Sequence, residues 1–375
     1  MQNKVLKNIE KTKKILNSKN RGKKNNDEMY TPMEYIYAEL LYWASKGKFQ
    51  DKRIICPCDW DIVKDSKIYS ITIDYNELGI DVKGNAVPKV SYDLWEDESE
   101  PIKIDLPEDQ VDEFLRHKLT CNFLRTLTQN ARSWGIKSVS ASGYNPALGK
   151  GISFEDVDYS KYDICITNPP FSLYGTFMKT IVGNIDFIVL APFMNRCSPS
   201  VGGYLIQKKA FLSNGGNKNI EFIQFLAPSG EKSKIVGCDW IVSWPDWMQE
   251  SNARNAKKDF GIDYEEYKDE FFTMPYMFMK DGKNPIRVGR KCFPKNYDGW
   301  MFGNVSFWNE LDCEKYRIEH TSLLAYYKNN PDKNPFDEEL ISRSGHNRLN
   351  IDDTHAAFSG IVFRLKPEYR THNNG

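Results

Sequence analysis

The 375-residue chain is longer than one typical domain and shorter than three, so it has room for a large core with appended material. Its 51 Lys and Arg balance 51 Asp and Glu, which excludes a globally polycationic or polyanionic protein and leaves partner chemistry to local charge. No apolar run approaches the roughly 20 residues of a membrane span, and the eight cysteines include no Cys-x-x-Cys pair, so reduced, buried thiols in a cytoplasmic protein without a metal site are expected.

In chain order, residues 1–26 form a basic arm, with Lys and Arg set against the single acid Glu10. It lacks the apolar core of a signal peptide. At Thr31 a helix is expected to begin: Thr31 can cap it, Pro32 suits its first turn, and Tyr35, Ile36, Leu40 and Trp43 keep helical spacing as far as Lys46-Gly47. Lys52 to Cys58 reads as a short strand. Cys56-Pro57-Cys58 has no second Cys/His pair at zinc spacing. Residues 62–110 are acidic around Trp95 to Glu113 and read as a solvated insertion, since such a charge would repel phosphate. Val111 to Trp134 has apolar residues three and four apart and stops at Gly135, the pattern of a helix with a glycine C-terminus.

Further strands are expected at Ile136 to Ser142, Asp163 to Thr167, Ile185 to Pro192, Ile220 to Leu226 and Asp239 to Ser243, with a helix near Leu173 to Val182. Strands alternating with helices imply an α/β fold with a doubly wound, mainly parallel sheet, which binds ligands at the carboxyl ends of its strands. This α/β unit spans 27–244. From Pro245 the rhythm changes to aromatics, Gly, Pro and Asn with short strands such as Gly360 to Leu365, so residues 245–375 read as a second unit.

One junction asks for chemistry. The apolar strand Ile164 to Thr167 runs directly into Asn168-Pro169-Pro170-Phe171, although proline cannot extend a central strand. Both Asn168 and Pro169 precede a proline and are held out of the helical region. The stiff, extended turn offers an amide oxygen and a backbone carbonyl as two acceptors beside an aromatic ring. An exocyclic nucleobase amine suits that pair, because its lone pair is delocalised until its hydrogens are gripped in the tetrahedral geometry of attack. A base rotated out of its duplex would stack on Phe171, a contact of roughly 1–3 kcal/mol. The bland alternative is a rigid strand-to-helix link with Phe171 in the core.

These residues resemble the S-adenosylmethionine-dependent amino-methyltransferases, whose motif is Asp/Asn/Ser-Pro-Pro-aromatic. DEMYTP (Asp27 to Pro32), ICPCDWD (Ile55 to Asp61), NFLRTLTQNARSWGIKSVSAS (Asn122 to Ser142) and ITNPPFS (Ile166 to Ser172), in that order, are similar to the EcoRI-type DNA adenine methyltransferases. The resemblance implies the class I methyltransferase fold, S-adenosylmethionine as cofactor, and adenine N6 in double-stranded DNA as acceptor. It implies that Asn168 and Pro169 hold the amine, Pro170 fixes the turn and Phe171 stacks. Tyr30, Thr31 and Pro32 would border the methionine end of the cofactor, Asp59 or Asp61 would accept from its ammonium, and Asp156, with Asp158 close behind, would meet its adenine. The loop after the first strand contains no glycine, and Ala141 to Tyr144 lacks the acid that often binds ribose; both are departures from the family pattern.

The same pocket chemistry serves RNA adenine and protein glutamine methyltransferases, and a catalytically silent DNA-binding protein could keep the fold. The order of motifs in the family assigns target recognition to the region after the catalytic motif. There Arg287, Arg290 and Lys291 stand among aromatics and are candidate DNA contacts, arginine to base edges and lysine to phosphates. The family also suggests a cognate restriction endonuclease acting on the same site.

Overall fold

The computed structural model describes residues 31–59, 68–80, 86–94, 102–105, 121–145, 150–213, 222–223, 236–245, 261–262, 266, 286–288, 293–294, 297–305, 307–312, 314–329, 332 and 360–370. Helix α1 (Met33–Ser45) starts after Pro32, which holds the N-cap position at φ −59° and ψ 139°. Thr31, expected as the cap, does not cap it: Pro32 takes the boundary, its carbonyl accepting from the Tyr35 and Ile36 N–H groups, and no side chain caps the helix. After it come β1 (Arg53–Cys56), β2 (Ile68–Ile80), β3 (Ala86–Leu94), β4 (Ile102–Asp105), α2 (Asn122–Trp134) and β5 (Ser138–Ser142). The expected helical residues 111–120 lie outside the described residues. Helix α2 stops at Gly135, whose φ of 68° is left-handed. A Cβ there would also displace the flexible end of the Gln50 side chain, but it is the left-handed backbone that calls for glycine.

The chain continues through a short hairpin, β6 (Tyr144–Asn145) and β7 (Lys150–Gly151), then β8 (Ile164–Thr167), α3 (Tyr174–Ile181), β9 (Asp186–Pro192), α4 (Gly202–Ile206), β10 (Phe211–Ser213), β11 (Phe222–Ile223) and β12 (Val236–Val242). Among the described residues ten strands form one sheet in the order β10-β12-β9-β8-β1-β5-β2-β3-β4, with β11 on β12. Strands β9, β8, β1 and β5 are parallel neighbours, while β12 enters antiparallel between β9 and β10. The expected α/β fold with a parallel central sheet is therefore present.

One expectation needs correction. Segment 62–110, read as a solvated insertion, supplies β2, β3 and β4, and β2 pairs antiparallel along the whole of β5, from Ser70↔Ser142 to Asp74↔Ser138. The acids dominated the sequence reading, but Ile71 and Ile73 alternate with polar neighbours, and they are buried in the core together with Val87 and Val90.

Each central strand is buried on both faces, and its residues divide alternately between two apolar layers. Ile188 and Leu190 of β9 face α1 and α2, joining Ile36, Leu40, Trp43, Leu124 and Leu127. Phe187, Val189 and Ala191 face α3, joining Phe177, Met178 and Ile181. Glu39 of α1 is buried, yet its Oε1 accepts from Trp43 Nε1 at 2.7 Å and from Ser213 Oγ, tying the helix to β10.

Beyond Pro245, β13 (Gly261–Ile262) pairs with β15 (Phe293–Pro294), and β14 (Ile286–Arg287), β16 (Met301–Asn304), β17 (Tyr316–His320) and β18 (Gly360–Leu365) make a second sheet in the order β14-β16-β18-β17. Helices α5 (Phe307–Glu310) and α6 (Leu323–Asn329) accompany it. This region has its own sheet and also shares an apolar layer with the first. Ile286, Met301, Ile361 and Phe363 enter the same apolar layer as Phe177 and Val189. At Gly202 a Cβ would stand 2.2 Å from the Arg196 carbonyl oxygen and 2.6 Å from Thr321 Cγ2, so the end of β17 packs tightly against the segment that follows β9.

Candidate active site

Strand β1 has β5 on one side and β8 on the other, so the sheet grows in opposite directions from it. Open α/β sheets bind ligands beyond the carboxyl ends of such strands. Ile55 is level with Cys165, which brings the Pro57 to Asp59 loop alongside Thr167 and Asn168. The Thr167 hydroxyl donates to Asp59 Oδ2, so the first loop is fastened directly to the end of β8.

The β8–β9 ladder ends at Thr167↔Val189, where the prolines begin. Asn168 is half-buried, Pro169 buried, Pro170 half-buried and extended (φ −55°, ψ 123°), and Phe171 exposed. Leu173 N donates to Pro170 O at 2.9 Å, closing a 3-10 turn over Phe171–Leu173 that leads into α3. Phe171 is absent from both apolar layers, so the reading of Asn168 to Phe171 as a mere core link is not what the packing supports. The turn sets a neutral amide with a buried Oδ1, a prolyl carbonyl and an exposed ring at one strand end.

Thr31 is 3% exposed, and its carbonyl accepts from Asn122 Nδ2 at 2.8 Å, placing the Thr31-Pro32 segment against the start of α2. The Thr31 Oγ1 and Ser142 Oγ atoms are buried and have no hydrogen-bond partner among the described residues. Thr31 thus stands by the helix that leads into β5, and Ser142 ends β5 itself. Burial, and after it the charge of Asp59, pushes the Cys56 and Cys58 thiols well above their ordinary range, so both stay protonated at neutral pH and are poor nucleophiles.

The remaining sequence candidates are more scattered. Asp156 is exposed, and its backbone N–H closes a turn onto Ser153 O at 2.8 Å. Asp158 accepts from the Ser160 hydroxyl (2.6 Å) and backbone N–H (3.3 Å), capping a 3-10 turn. Arg287 lies in β14 in register with Phe302. Tyr30, Asp61, Arg290 and Lys291 lie outside the described residues.

Sequence reading missed a buried ion pair near the carboxyl edge. Arg196, in the 3-10 turn after β9, donates through Nε and Nη2 to the two Asp239 carboxylate oxygens, with the residues 4% and 9% exposed. Asp239 is level with Ala191 of β9, and its charge adds to the dominant effect of burial in raising the nearby Tyr174 hydroxyl well above its usual range. The pairing is invisible in sequence because 43 positions separate the partners.

Residues 16–196 match the family model described as adenine-specific methyltransferase EcoRI. That segment belongs to this family. It contains Thr31, Asp59 and the whole Asn168 to Phe171 turn, and it ends at Arg196. Over 329 residues the chain is also 21% identical to the type II methyltransferase M.EcoRI of Escherichia coli, with 82% of this chain and 89% of that protein covered. No solved structure matches. Among the described residues, no helix is long and apolar enough to cross a membrane, and no group of three or more His, Cys, Asp or Glu is arranged to hold a metal ion.

Proposed function

We propose that this EcoRI-type family member is a site-specific DNA adenine-N6 methyltransferase that acts on an adenine rotated out of the duplex. The observation that carries this reading is the position of Asn168-Pro169-Pro170-Phe171 on the carboxyl end of β8, beside β1 where the sheet changes its direction of growth. Asn168 Oδ1 and the Pro169 carbonyl accept the two N6 hydrogens. Both acceptors are neutral, so they orient the amine without removing its proton, and they favour the tetrahedral nitrogen that forms during attack. Pro170 keeps the turn extended, and Phe171 stacks on the base.

The residues fit S-adenosylmethionine. A cofactor rich in hydroxyls and charge suits an edge where Thr31 Oγ1 and Ser142 Oγ are buried with no hydrogen-bond partner among the described residues, and where a carboxylate stands at Asp59. Thr31 and Pro32 would hold its methionine end, with Tyr30 and Asp61 in the same assignment, Asp59 would meet its ammonium, and Asp156 its adenine. When bound it supplies an electrophilic methyl group on sulfonium. The protein's contribution is then alignment of the amine for in-line displacement, a positional effect that needs no covalent enzyme intermediate. Recognition of duplex sequence by Arg287, Arg290 and Lys291, and a cognate endonuclease sharing the site, belong to the same proposal.

The test is transfer of tritium from labelled S-adenosylmethionine by the full chain to duplex DNA, with RNA and glutamine-containing protein offered in parallel, followed by methylation-sensitive sequencing of the DNA. Label in adenine N6 at a defined site is expected. Label only in RNA or protein would replace the acceptor, and no transfer by folded protein would leave a silent DNA-binding protein on this fold.

A further inference from the structure

Two neighbouring parallel strands of the central sheet each run into a Pro-Phe turn. Asn168-Pro169-Pro170-Phe171 follows β8, and Phe193 follows Pro192, the last residue of β9 and still level with Cys238 of β12. In each, an extended proline, Pro170 at φ −55° and ψ 123° or Pro192 at φ −57° and ψ 136°, precedes a phenylalanine that opens a 3-10 turn. Both phenylalanines stand four residues beyond the last paired couple, Thr167↔Val189, so the turns emerge abreast at one height on the carboxyl edge. Neither ring belongs to an apolar layer, although the strands beneath them are buried on both faces.

Phe193 is supported from an unusual direction. Arg196 Cζ lies 4.1 Å from its ring centroid, and the guanidinium is itself held by both oxygens of Asp239 in a nearly water-free setting. A planar cation fixed against one ring face orients the ring and leaves the opposite face for a flat guest. Adjacent strands are separated by about 4.8 Å, close enough for two such rings to touch one bicyclic base.

We propose that Phe193 is the second aromatic contact of the acceptor site, with Arg196 and Asp239 as its positioning residues, and that the paired Pro-Phe turns select a fused heteroaromatic base over a glutamine amide. This rests on the reading of Asn168 to Phe171 as the acceptor site and specifies what that site accepts. A lone amide needs the two acceptors but gains little from two rings, whereas a purine gains from each.

The experiment begins with wild-type protein and the adenine it methylates, once mapped. A duplex carrying 5-iodouracil at that position is irradiated in the complex, and the linked peptides are identified by mass spectrometry. Links to both Phe171 and Phe193 are expected. In parallel, Phe193→Leu should lower kcat/KM on duplex DNA about 10-fold or more while calorimetric affinity for S-adenosylmethionine is kept, and Phe193→Tyr should restore most of the loss. Links to Phe171 alone, with Phe193→Leu at the wild-type rate, overturn the inference and leave the methyltransferase reading standing. Transfer by the wild type to glutamine and to no nucleic acid overturns both.

Discussion

The amino and carboxyl ends of the central strands are built on different plans. At the amino ends, polar groups join neighbouring strands to one another. Arg53, opening β1, donates from its backbone N–H (2.8 Å), Nε (3.1 Å) and Nη2 (3.1 Å) to Asp163, just ahead of β8. Asp186, opening β9, accepts from Ser243 Oγ at 2.9 Å and Trp244 Nε1 at 3.3 Å. At the carboxyl ends, the β8–β9 ladder stops short of the prolines, Phe171 and Phe193 stand outside the apolar layers, and an ion pair is buried near them. Polar links hold the amino ends together, whereas the proposed function puts the guest at the carboxyl ends, so substitutions at the two ends should separate stability from activity.

The largest effect should come from the buried pair, where the contrast is sharpest. Arg196→Ala leaves the Asp239 carboxylate buried without its guanidinium, and urea unfolding should show a loss of about 3–5 kcal/mol. Replacing both partners with apolar residues, Arg196→Met with Asp239→Leu, should recover most of that stability. The double variant should remain slow on DNA, because the support beneath Phe193 is gone. A double variant with full activity would reduce the pair to a packing element.

Asn168→Ala should lower kcat at least about 100-fold, the scale seen for loss of one preorganised polar contact, with an unchanged melting temperature and calorimetric cofactor affinity. Lost cofactor binding would mean that the amide serves the wrong partner. Gly202→Ala tests whether the second sheet is braced against the carboxyl edge. A methyl group there meets Arg196 O and Thr321 Cγ2, so about 1–3 kcal/mol of stability should be lost.

The smallest effect belongs to the amino end. Arg53 and Asp163 are 41% and 30% exposed, so breaking their pair by Arg53→Ala should cost below about 1 kcal/mol and leave transfer rates alone. Its pH dependence has a definite sign. Hydrogen bonding to Arg53 holds the Asp163 carboxyl below its ordinary range despite the opposing effect of burial. The native state therefore gains stability above the unfolded value near 3.9 and loses it as acid protonates Asp163. Melting curves below about pH 4 should show the wild type and Arg53→Ala converging.

Much of residues 27–244 was legible because its signals are local. Apolar runs bounded by glycine or proline located β1, β5, β8, β9 and α3 within a residue or two, and Gly135 marked the end of α2. The Asn168 to Phe171 turn was legible because proline chemistry acts on its own backbone and immediate neighbour. Residues 62–110 misled because net charge is a property of side chains at the surface, whereas the strands are held by the buried apolar side chains of Ile71, Ile73, Val87 and Val90 beneath it. Pro192-Phe193 passed unremarked, since its likeness to Pro170-Phe171 acquires meaning only once β8 and β9 are known to be adjacent and parallel.

Local covalent rules, acting within a few residues, therefore determined the parallel α/β plan, the stiff Asn168 to Phe171 turn and the place of that turn at a strand end. Tertiary structure decided what long-range contacts alone can decide: that β2 to β4 extend the sheet beyond β5, that Arg196 meets Asp239, and that the second sheet shares the apolar layer of α3. Those contacts join residues far apart in sequence through burial and complementary charge, and neither quantity exists until the chain has closed upon itself.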